Sequence, residues 1–243
     1  MKLLVFQHVD CEHPGSLRQF LKRDGIQWDA VELDAGEAIP DLAAPDLAAY
    51  DALWVMGGPM DVWDVEEHPW LIPEKAAIRT WVRDMQKPFL GLCLGHQLLA
   101  DALGGTCGPQ VPGEIGVMEV ELTEDGLADP LFAGLAKRQA CLQWHSVRVA
   151  QPPEDAVVLA SSPACRVQAM RVGAKAWSMQ YHVEIEPDTV ANWAAIPAYR
   201  NALEAAKGAG AVEALDRDAS AKSDVFLASA EQLYSNFMRM AKA

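Results

Sequence analysis

The sequence predicts an α/β fold with three layers, in which helices cover both faces of a mostly parallel central sheet. In the first half, apolar strand-like segments alternate with helical segments, which is typical of a parallel sheet covered on both sides. After residue 105, strand-like segments follow one another closely, which predicts additional antiparallel strands in the second half. The chain has 243 residues, of which 51% are hydrophobic and 22% are charged, so it can bury a sizeable core.

The first half contains strands and helices in alternation. Apolar runs predict four strands: 2–9, 28–33, 50–58 and 89–93. Helical spacing predicts three helices: 16–25, 72–85 and 96–105. Gly25 ends the first helix, and Pro73 and Glu74 suit the first turn of the second. Because ligands of such sheets bind beyond the carboxyl ends of the strands, we expect the active site there.

The second half contains closely spaced strands and then helices. Short segments predict five strands: 116–124, 139–149, 156–162, 165–173 and 174–184. A helix is predicted over 187–203, kinked or divided at Pro197, then a loose helix or loop over 207–225 and a helix over 226–243. We find no internal repeat, so we expect a single domain over 1–243, with a core over about 1–185 and a helical extension over about 186–243.

Composition and charge exclude several classes of partner. The net charge is 20 − 34 = −14, the isoelectric point is about 4.8 and Lys/Arg clusters are absent, so we expect neither nucleic acid nor an acidic membrane surface as a partner. No apolar stretch approaches the length of a membrane span, and the N-terminal apolar run is too short for a signal peptide. The five cysteines include no C-x-x-C pair, which disfavours a disulfide framework or a zinc site and favours a cytoplasmic location.

The segment "FLGLCLGHQ" predicts a nucleophile at a strand-to-helix turn. An apolar strand ends at Cys93, and a helical pattern begins directly after it. Such a turn holds its nucleophile in a strained backbone conformation and needs small neighbours, which Gly91 and Gly95 provide. The N-terminus of the following helix favours the thiolate form of a cysteine. The alternative is that Cys93 is a small buried hydrophobic residue.

The segment "SMQYHVE" offers a base and a partner that orients it, both of which a cysteine nucleophile needs. His182 and Glu184 are two residues apart, so in an extended chain they lie on the same side. A carboxylate in that position can hold the imidazole in place, as in acid-base-nucleophile triads. The alternative is a core histidine beside a surface acid.

Two other polar segments suit simpler explanations. His8, Asp10, Cys11 and His13 lie together after the first strand, but their spacing matches no established set of metal ligands. We therefore predict no metal and no cofactor. The acidic and aromatic segment 61–70 is expected to be a solvated loop, with a lid or a partner-docking surface as the alternative.

Taken together, "MGGPM", "GLCLGHQ" and "QYHVE" resemble the motifs of the class I glutamine amidotransferases. Val183 stands where the H-P-E motif of that family has proline. The resemblance covers roughly residues 1–185, is closest to stand-alone members similar to the amidotransferase half of GMP synthase, and implies a flavodoxin-like fold. The family pattern G-x-C-x-G-x-Q is matched at Gly91, Cys93, Gly95 and Gln97.

The resemblance implies a role for each residue of the site. Cys93 attacks the side-chain amide of glutamine, His182 transfers the protons, and Glu184 orients His182. The backbone N–H groups of Gly58 and Leu94 form the oxyanion hole, and Leu94 also suits this role because it begins the helix after the nucleophile. The residues implied to hold the amino-acid end of the substrate are Gly57, Gln97, Trp144, His145 and Ser146.

Three functions remain open at this point. The first is a glutaminase that passes ammonia to a synthetase on a separate chain, since this sequence contains no P-loop or other ATP-binding signature. The second is a γ-glutamyl peptide hydrolase that uses the same triad on a γ-glutamyl substrate. The third is a regulatory protein without catalytic activity, against which the presence of Cys93, His182 and Glu184 argues.

Overall fold

A nine-stranded sheet forms the centre of the part of the chain that the computed structural model describes, residues 1–40 and 49–242. In chain order the strands are β1 (Lys2–Gln7), β2 (Gln27–Glu32), β3 (Ala52–Val55), β4 (Phe89–Leu92), β5 (Thr106–Leu122), β6 (Arg138–Gln151), β7 (Ala156–Ser161), β8 (Ala169–Val172) and β9 (Ala176–Met179). Their order across the sheet is β2-β1-β3-β4-β9-β8-β7-β5-β6. The strands from β2 to β9 in that order run parallel, and the remaining pairings are antiparallel, as the sequence predicts.

The parallel strands bring four separate segments of the chain to one edge of the sheet. β1 is followed by His8, β3 by the glycine pair that includes Gly58, β4 by Cys93, and β9 by the segment that carries His182. Because parallel strands share one carboxyl edge, these residues meet although they lie far apart in the sequence.

Helices cover both faces of the sheet. They are α1 (Leu17–Arg23), α2 (Leu71–Arg79), α3 (Leu94–Ala102), α4 (Glu124–Ala128), α5 (Thr189–Ala194), α6 (Pro197–Lys207), α7 (Ala211–Ser220) and α8 (Ser223–Ala241). On one face, Leu21 of α1 and Phe237 of α8 share a buried cluster with Trp54 of β3. On the other face, Ile78 of α2 and Leu98 of α3 belong to a second buried cluster. None of the helices in the described ranges is long and apolar enough to cross a membrane.

The helices after residue 186 pack on the long antiparallel strands. Trp193 of α5, Tyr199 of α6 and Leu215 of α7 share a third buried cluster with Trp144 of β6. The rings of Trp144 and Trp193 meet edge to face at a centroid distance of 5.9 Å, and Trp144 Nε1 donates to the Tyr199 carbonyl oxygen at 3.2 Å. Aromatic burial therefore joins this C-terminal region to the sheet and fixes the position of α6.

The C-terminal helices differ from the prediction in where they begin and end. Pro197 is the first residue of α6 and divides the helix predicted over 187–203 into α5 and α6, because proline cannot donate the hydrogen bond that a continuous helix needs there. The segment 207–225, predicted as a loose helix or loop, contains α7 and the beginning of α8. The helix predicted over 226–243 begins earlier, at Ser223, and position 243 lies outside the described residues.

Several predicted strand boundaries are wrong, and the strand predicted over 50–58 is reduced to β3. β5 begins at Thr106 rather than at 116, and its pairing with β6 is interrupted between Pro109 and Glu114, where proline and glycine break the alternating pattern. The strands predicted over 165–173 and 174–184 are reduced to the short pair β8 and β9. Beyond β9 the chain leaves the sheet, and His182 makes only an isolated bridge with Leu142.

Candidate active site

Cys93 occupies the turn between β4 and α3 in a conformation that side chains rarely adopt. Its backbone angles are φ 51° and ψ −103°, and its N–H donates to the Met179 carbonyl oxygen at 2.8 Å. A Cβ atom on Gly91 would lie 2.5 Å from the Gly95 oxygen, and one on Gly95 would lie 2.1 Å from the Val55 oxygen. Both glycines are therefore required by close backbone contacts, as predicted for a nucleophile turn.

One glutamine side chain lies beside the sulfur of Cys93, and a second contacts the first. Gln180 Nε2 donates to Cys93 Sγ at 3.6 Å, and Gln180 Oε1 accepts from Gln97 Nε2 at 3.2 Å. Gln97 Nε2 also lies 3.4 Å from the Val147 carbonyl oxygen, and both glutamines are buried. The hydrogen bond from Gln180 thus holds the sulfur beside a buried polar network.

His182 and Glu184 form a buried pair. His182 Nδ1 lies 2.6 Å from Glu184 Oε1, and the Val183 N–H donates to Glu184 Oε2 at 2.9 Å. The His182 ring also meets the Trp193 ring edge to face at a centroid distance of 4.6 Å. The imidazole is thus held on one side by a carboxylate and on another by an aromatic ring. The backbone N–H and carbonyl groups of His182 both form hydrogen bonds with the backbone of Leu142.

The charge state of this pair follows from its surroundings. Burial opposes a positive charge on His182, but the Glu184 carboxylate and a hydrogen bond with the Cys93 sulfur outweigh it and raise the pKa of His182 well above its ordinary value. Burial likewise opposes a charge on Glu184, but the nearby imidazolium lowers the pKa of Glu184. The pair is therefore an imidazolium and a carboxylate, in contact with the candidate nucleophile.

The glycine pair after β3 packs closely around the predicted oxyanion hole. A Cβ atom on Gly58 would lie 2.9 Å from a side-chain carbon of Leu94 and 2.9 Å from His8 Cβ. A Cβ atom on Gly57 would lie 1.8 Å from Glu12 Oε2 and 3.5 Å from Cys93 Cβ. Leu94 is the first residue of α3, at the end of the helix where N–H groups have no partner within the helix. The two predicted donors thus belong to segments in contact with each other.

A cleft opens above Cys93, and four of the residues predicted to bind substrate, Gln97 and residues 144–146, line it, whereas Gly57 does not. Ser146 is exposed, whereas His145 is buried and engaged within the protein. His145 Nδ1 donates to the Val147 carbonyl oxygen at 2.8 Å, and His145 Nε2 lies 3.3 Å from Glu114 Oε2. Both ring nitrogens therefore face protein groups, which suits a wall of the cleft better than a second base.

Two residues beside the site escaped the sequence analysis. Glu12 is 3% exposed and accepts a hydrogen bond from the Tyr199 hydroxyl, and Tyr199 lines the cleft together with Cys93. Burial raises the pKa of Glu12, although His182, Tyr199 and His8 oppose this, and burial together with Glu12 raises the pKa of Tyr199 well above its ordinary value. Glu12 lies five residues after the end of β1, and a position close to the carboxyl end of a parallel strand could have predicted a place near the site. No local pattern in the sequence indicates Tyr199.

The cluster of polar residues after β1 is engaged in other contacts. The ring nitrogens of His8 lie against Gly57 and Glu74, and His13 Nδ1 accepts from the Gly15 N–H at 3.1 Å. Within residues 1–40 and 49–242, no set of three or more His, Cys, Asp or Glu side chains is arranged to hold a metal ion.

Comparisons with known proteins agree with this geometry. The family model described as glutamine amidotransferase class-I matches residues 8–192. The glutamine-hydrolysing GMP synthase of Aeropyrum pernix is 38% identical over 129 residues, which are 53% of this chain but only 23% of that protein. One of the subunits of the glutamine-hydrolysing GMP synthase of Saccharolobus solfataricus is 30% identical over 138 residues, which are 56% of this chain and 69% of that relative.

Solved structures match nearly the whole chain. A glutamine amidotransferase from Thermotoga maritima is 27% identical with a TM-score of 0.84, and the match covers 100% of this chain and 99% of that one. A glutamine amidotransferase from Methylobacillus flagellatus is 26% identical with a TM-score of 0.84, covering 98% of this chain and 94% of that one. By its fold, its sequence motifs and the match of residues 8–192, the chain belongs to the class-I glutamine amidotransferase family.

Proposed function

We propose that the protein hydrolyses the side-chain amide of glutamine to glutamate and ammonia through a γ-glutamyl thioester on Cys93. The observation that carries this proposal is the buried pair of His182 and Glu184, whose Nδ1 and Oε1 atoms lie 2.6 Å apart and whose imidazole has a raised pKa to which the Cys93 sulfur contributes. A cysteine on a strained turn, a charged imidazole and an orienting carboxylate are the groups that acyl transfer through a thioester needs.

In the first step, the Cys93 thiolate attacks the amide carbon of glutamine and pushes the carbonyl electrons onto oxygen. The N–H groups of Gly58 and Leu94 donate to that oxyanion. His182 gives its proton to the departing nitrogen, the C–N bond breaks, ammonia leaves, and a thioester remains with a neutral imidazole.

In the second step, His182 takes a proton from water while the water oxygen attacks the thioester. The tetrahedral intermediate collapses, the C–S bond breaks, glutamate leaves, and the thiolate and imidazolium are restored. Glu184 favours the charged imidazole in both steps. Gln97 and residues 144–146, which line the cleft, hold the amino-acid end of the substrate, together with Gly57.

We further propose that the ammonia is passed to a synthetase on a separate chain. The relative from Saccharolobus solfataricus is named as one of the subunits of a glutamine-hydrolysing GMP synthase, which supports an acceptor outside this chain.

A second candidate is a hydrolase of γ-glutamyl peptides with the same triad. The apolar and aromatic lining of the cleft favours it, because Ile115, Tyr199 and Ala202 suit a leaving group larger than ammonia.

Turnover measurements on the purified protein test these proposals. Glutamate release is measured with glutamine and with γ-glutamyl dipeptides, for the wild-type protein and for Cys93→Ala. We expect turnover by the wild type and none by Cys93→Ala. A kcat/KM for dipeptides that exceeds the value for glutamine by orders of magnitude would favour the second candidate. No turnover of either substrate would contradict both.

A further inference from the structure

His8 lies directly after β1 and touches the loop that carries Gly58. The side chains of His8 and Glu74 are both fully buried, at 0% exposed. His8 Nδ1 is 2.8 Å from the Gly57 carbonyl oxygen, and His8 Nε2 is 2.9 Å from Glu74 Oε1. Since a carbonyl oxygen can only accept, Nδ1 carries a proton and donates it to Gly57.

The imidazole of His8 has little freedom to turn. The Trp70 ring stacks on it at a centroid distance of 5.5 Å and an interplanar angle of 24°. Glu74 lies in the first turn of α2, where the helix N-terminus favours a negative charge. Burial opposes the charged imidazole, but the Glu74 carboxylate outweighs it and raises the pKa of His8. The ring is therefore a fixed hydrogen-bond donor, and Glu74 favours its charged form.

The Gly57 oxygen and the Gly58 N–H belong to the same planar peptide unit and point in opposite directions. A donor that fixes the oxygen therefore also fixes the direction of the N–H. A charged donor polarises the peptide as well, because hydrogen bonds in a chain strengthen one another where the local dielectric constant is low.

We propose that His8, held by Glu74, is a positioning residue that aims the Gly58 N–H at the oxyanion and strengthens its donation. This inference rests on the proposed function, because the oxyanion forms only in acyl transfer. It assigns a role to a histidine that lies outside the triad and for which the sequence predicted no role.

The competing explanation is that His8 and Glu74 form an ion pair that merely stabilises the core. A buried ion pair is weak evidence for stability, because removing two charges from water costs several kcal/mol per ion. Glu74 Oε2 also has no hydrogen-bond partner among the described residues, which adds to that cost. A buried pair that is weak evidence for stability, yet ends on the oxyanion loop, points to a role in that loop.

Two variants of His8 separate the donor from the rest of the ring. The amide nitrogen of asparagine replaces Nδ1 as a donor to Gly57, whereas leucine has a similar volume and no donor. For glutamine hydrolysis, we expect His8→Leu to lower kcat by about 100-fold with KM changed less than about 3-fold, because loss of an oxyanion donor costs on that order in kcat. His8→Asn keeps a donor to Gly57 but not its charge, so its kcat should fall only about 10-fold, well short of the loss in His8→Leu.

Alkylation of Cys93 by iodoacetamide distinguishes the proposed role of His8 from general damage to the site. General damage would slow both alkylation and glutamine hydrolysis, whereas loss of oxyanion support slows only hydrolysis. This displacement uses the same thiolate and forms no oxyanion. We expect wild type, His8→Leu and His8→Asn to be alkylated at Cys93 at equal rates. If alkylation falls in parallel with kcat, or if His8→Leu and His8→Asn lose activity equally, the proposal is overturned.

Two further variants keep the test decisive. His96 is equally buried and contacts Ser178 and Val167 instead of the loop, so His96→Leu measures general damage to the core. An equal loss of kcat in His96→Leu would overturn the proposal.

If His8→Leu does not fold, Glu74→Gln should still lower kcat about 10-fold through weaker donation by His8. Unchanged kcat in Glu74→Gln, or in a folded His8→Leu, would overturn the positioning role of His8 but not the proposed function. A wild-type protein without turnover overturns the proposed function as well.

Discussion

At the scale of single residues, Cys93 differs from the other four cysteines in its surroundings. Burial raises the pKa of Cys11 and of Cys165 to about 11 and that of Cys107 to about 12. Cys141 is fully buried, and burial raises its pKa further. These four residues stay as thiols near neutral pH. Cys93 accepts a hydrogen bond from Gln180, and its sulfur is among the groups that raise the pKa of His182.

The charge of Glu184 is predicted to be necessary for activity. Glu184→Gln keeps the shape of the side chain but removes the charge that outweighs the burial of His182, so the pKa of His182 falls. We expect kcat for glutamine hydrolysis to fall by about 10²–10⁴-fold, as for comparable changes in catalytic triads.

Glu186→Gln is the matched control, because Glu186 lies two residues further on and pairs with Arg18 instead of His182. Its kcat should stay within about 2-fold of the wild-type value. Wild-type activity in Glu184→Gln would contradict the assignment of Glu184 as the orienting group.

At the scale of elements, the strand-to-helix turn depends on glycine where backbone segments touch. Gly95 N–H donates to the Met56 carbonyl oxygen at 3.1 Å, so α3 begins directly against the end of β3. This contact sets the distance between the nucleophile and the oxyanion loop. The turn can therefore hold Cys93 in its strained conformation only while both segments remain close.

Gly95→Ala is predicted to destabilise the protein and to abolish activity. The new methyl group would lie 2.1 Å from the Val55 oxygen, a backbone atom that cannot move without shifting β3. We expect a loss of about 3 kcal/mol or more in the free energy of unfolding, at the upper end for overpacking. Urea unfolding followed by circular dichroism measures it.

Gly108→Ala is the control for this prediction. A Cβ atom on Gly108 meets no atom within 4 Å in the described part of the chain, and its φ angle is not in the left-handed region. Its free energy of unfolding should stay within about 0.5 kcal/mol of wild type. Equal effects of the two substitutions would refute the role assigned to the contact at Gly95.

Most elements were predictable from local patterns, and the errors have physical causes. β1, β3 and β4 are apolar runs, and "GLCLGHQ" and "QYHVE" carry the predicted triad in short segments. β5 was underestimated because its first residues include glycine and proline, which weaken the strand pattern. The Glu12–Tyr199 and His8–Glu74 contacts join residues 187 and 66 positions apart, and no local pattern records such distances.

At the scale of the whole molecule, the C-terminal helices complete the cleft. The family model ends at residue 192, whereas α6, α7 and α8 lie beyond it. Tyr199 of α6 lines the cleft and bonds to Glu12, and Trp193 of α5 packs on His182. Part of the cleft is thus built by a region outside the matched segment.

The stability of the molecule is predicted to fall in acid partly because of His96. Burial lowers the pKa of His96 to about 3, whereas an unfolded histidine has a pKa of about 6.5. Between pH 3 and pH 6.5, residue 96 therefore binds a proton in the unfolded chain but not in the folded one. The contribution of a neutral His96 is fully present above pH 6.5 and is lost as the pH falls toward 3, with a slope of about 1.4 kcal/mol per pH unit.

Urea unfolding of wild type and His96→Gln between pH 7 and pH 4 checks this prediction. The free energy of unfolding should fall less steeply with decreasing pH in His96→Gln than in wild type. His68→Gln, at a histidine that is only partly buried, serves as the control and should keep the wild-type slope. Equal slopes for wild type and His96→Gln would contradict the prediction.

The thioester on Cys93 is the central claim, and acid quenching during the first turnover tests it most directly. Wild-type protein is mixed with glutamine, quenched in acid, which preserves thioesters, and digested for mass spectrometry. We predict a glutamyl adduct on the peptide that contains Cys93, and neither adduct nor glutamate release in Cys93→Ala. Glutamine hydrolysis that continues in Cys93→Ala, without an adduct at any quench time, would contradict the account.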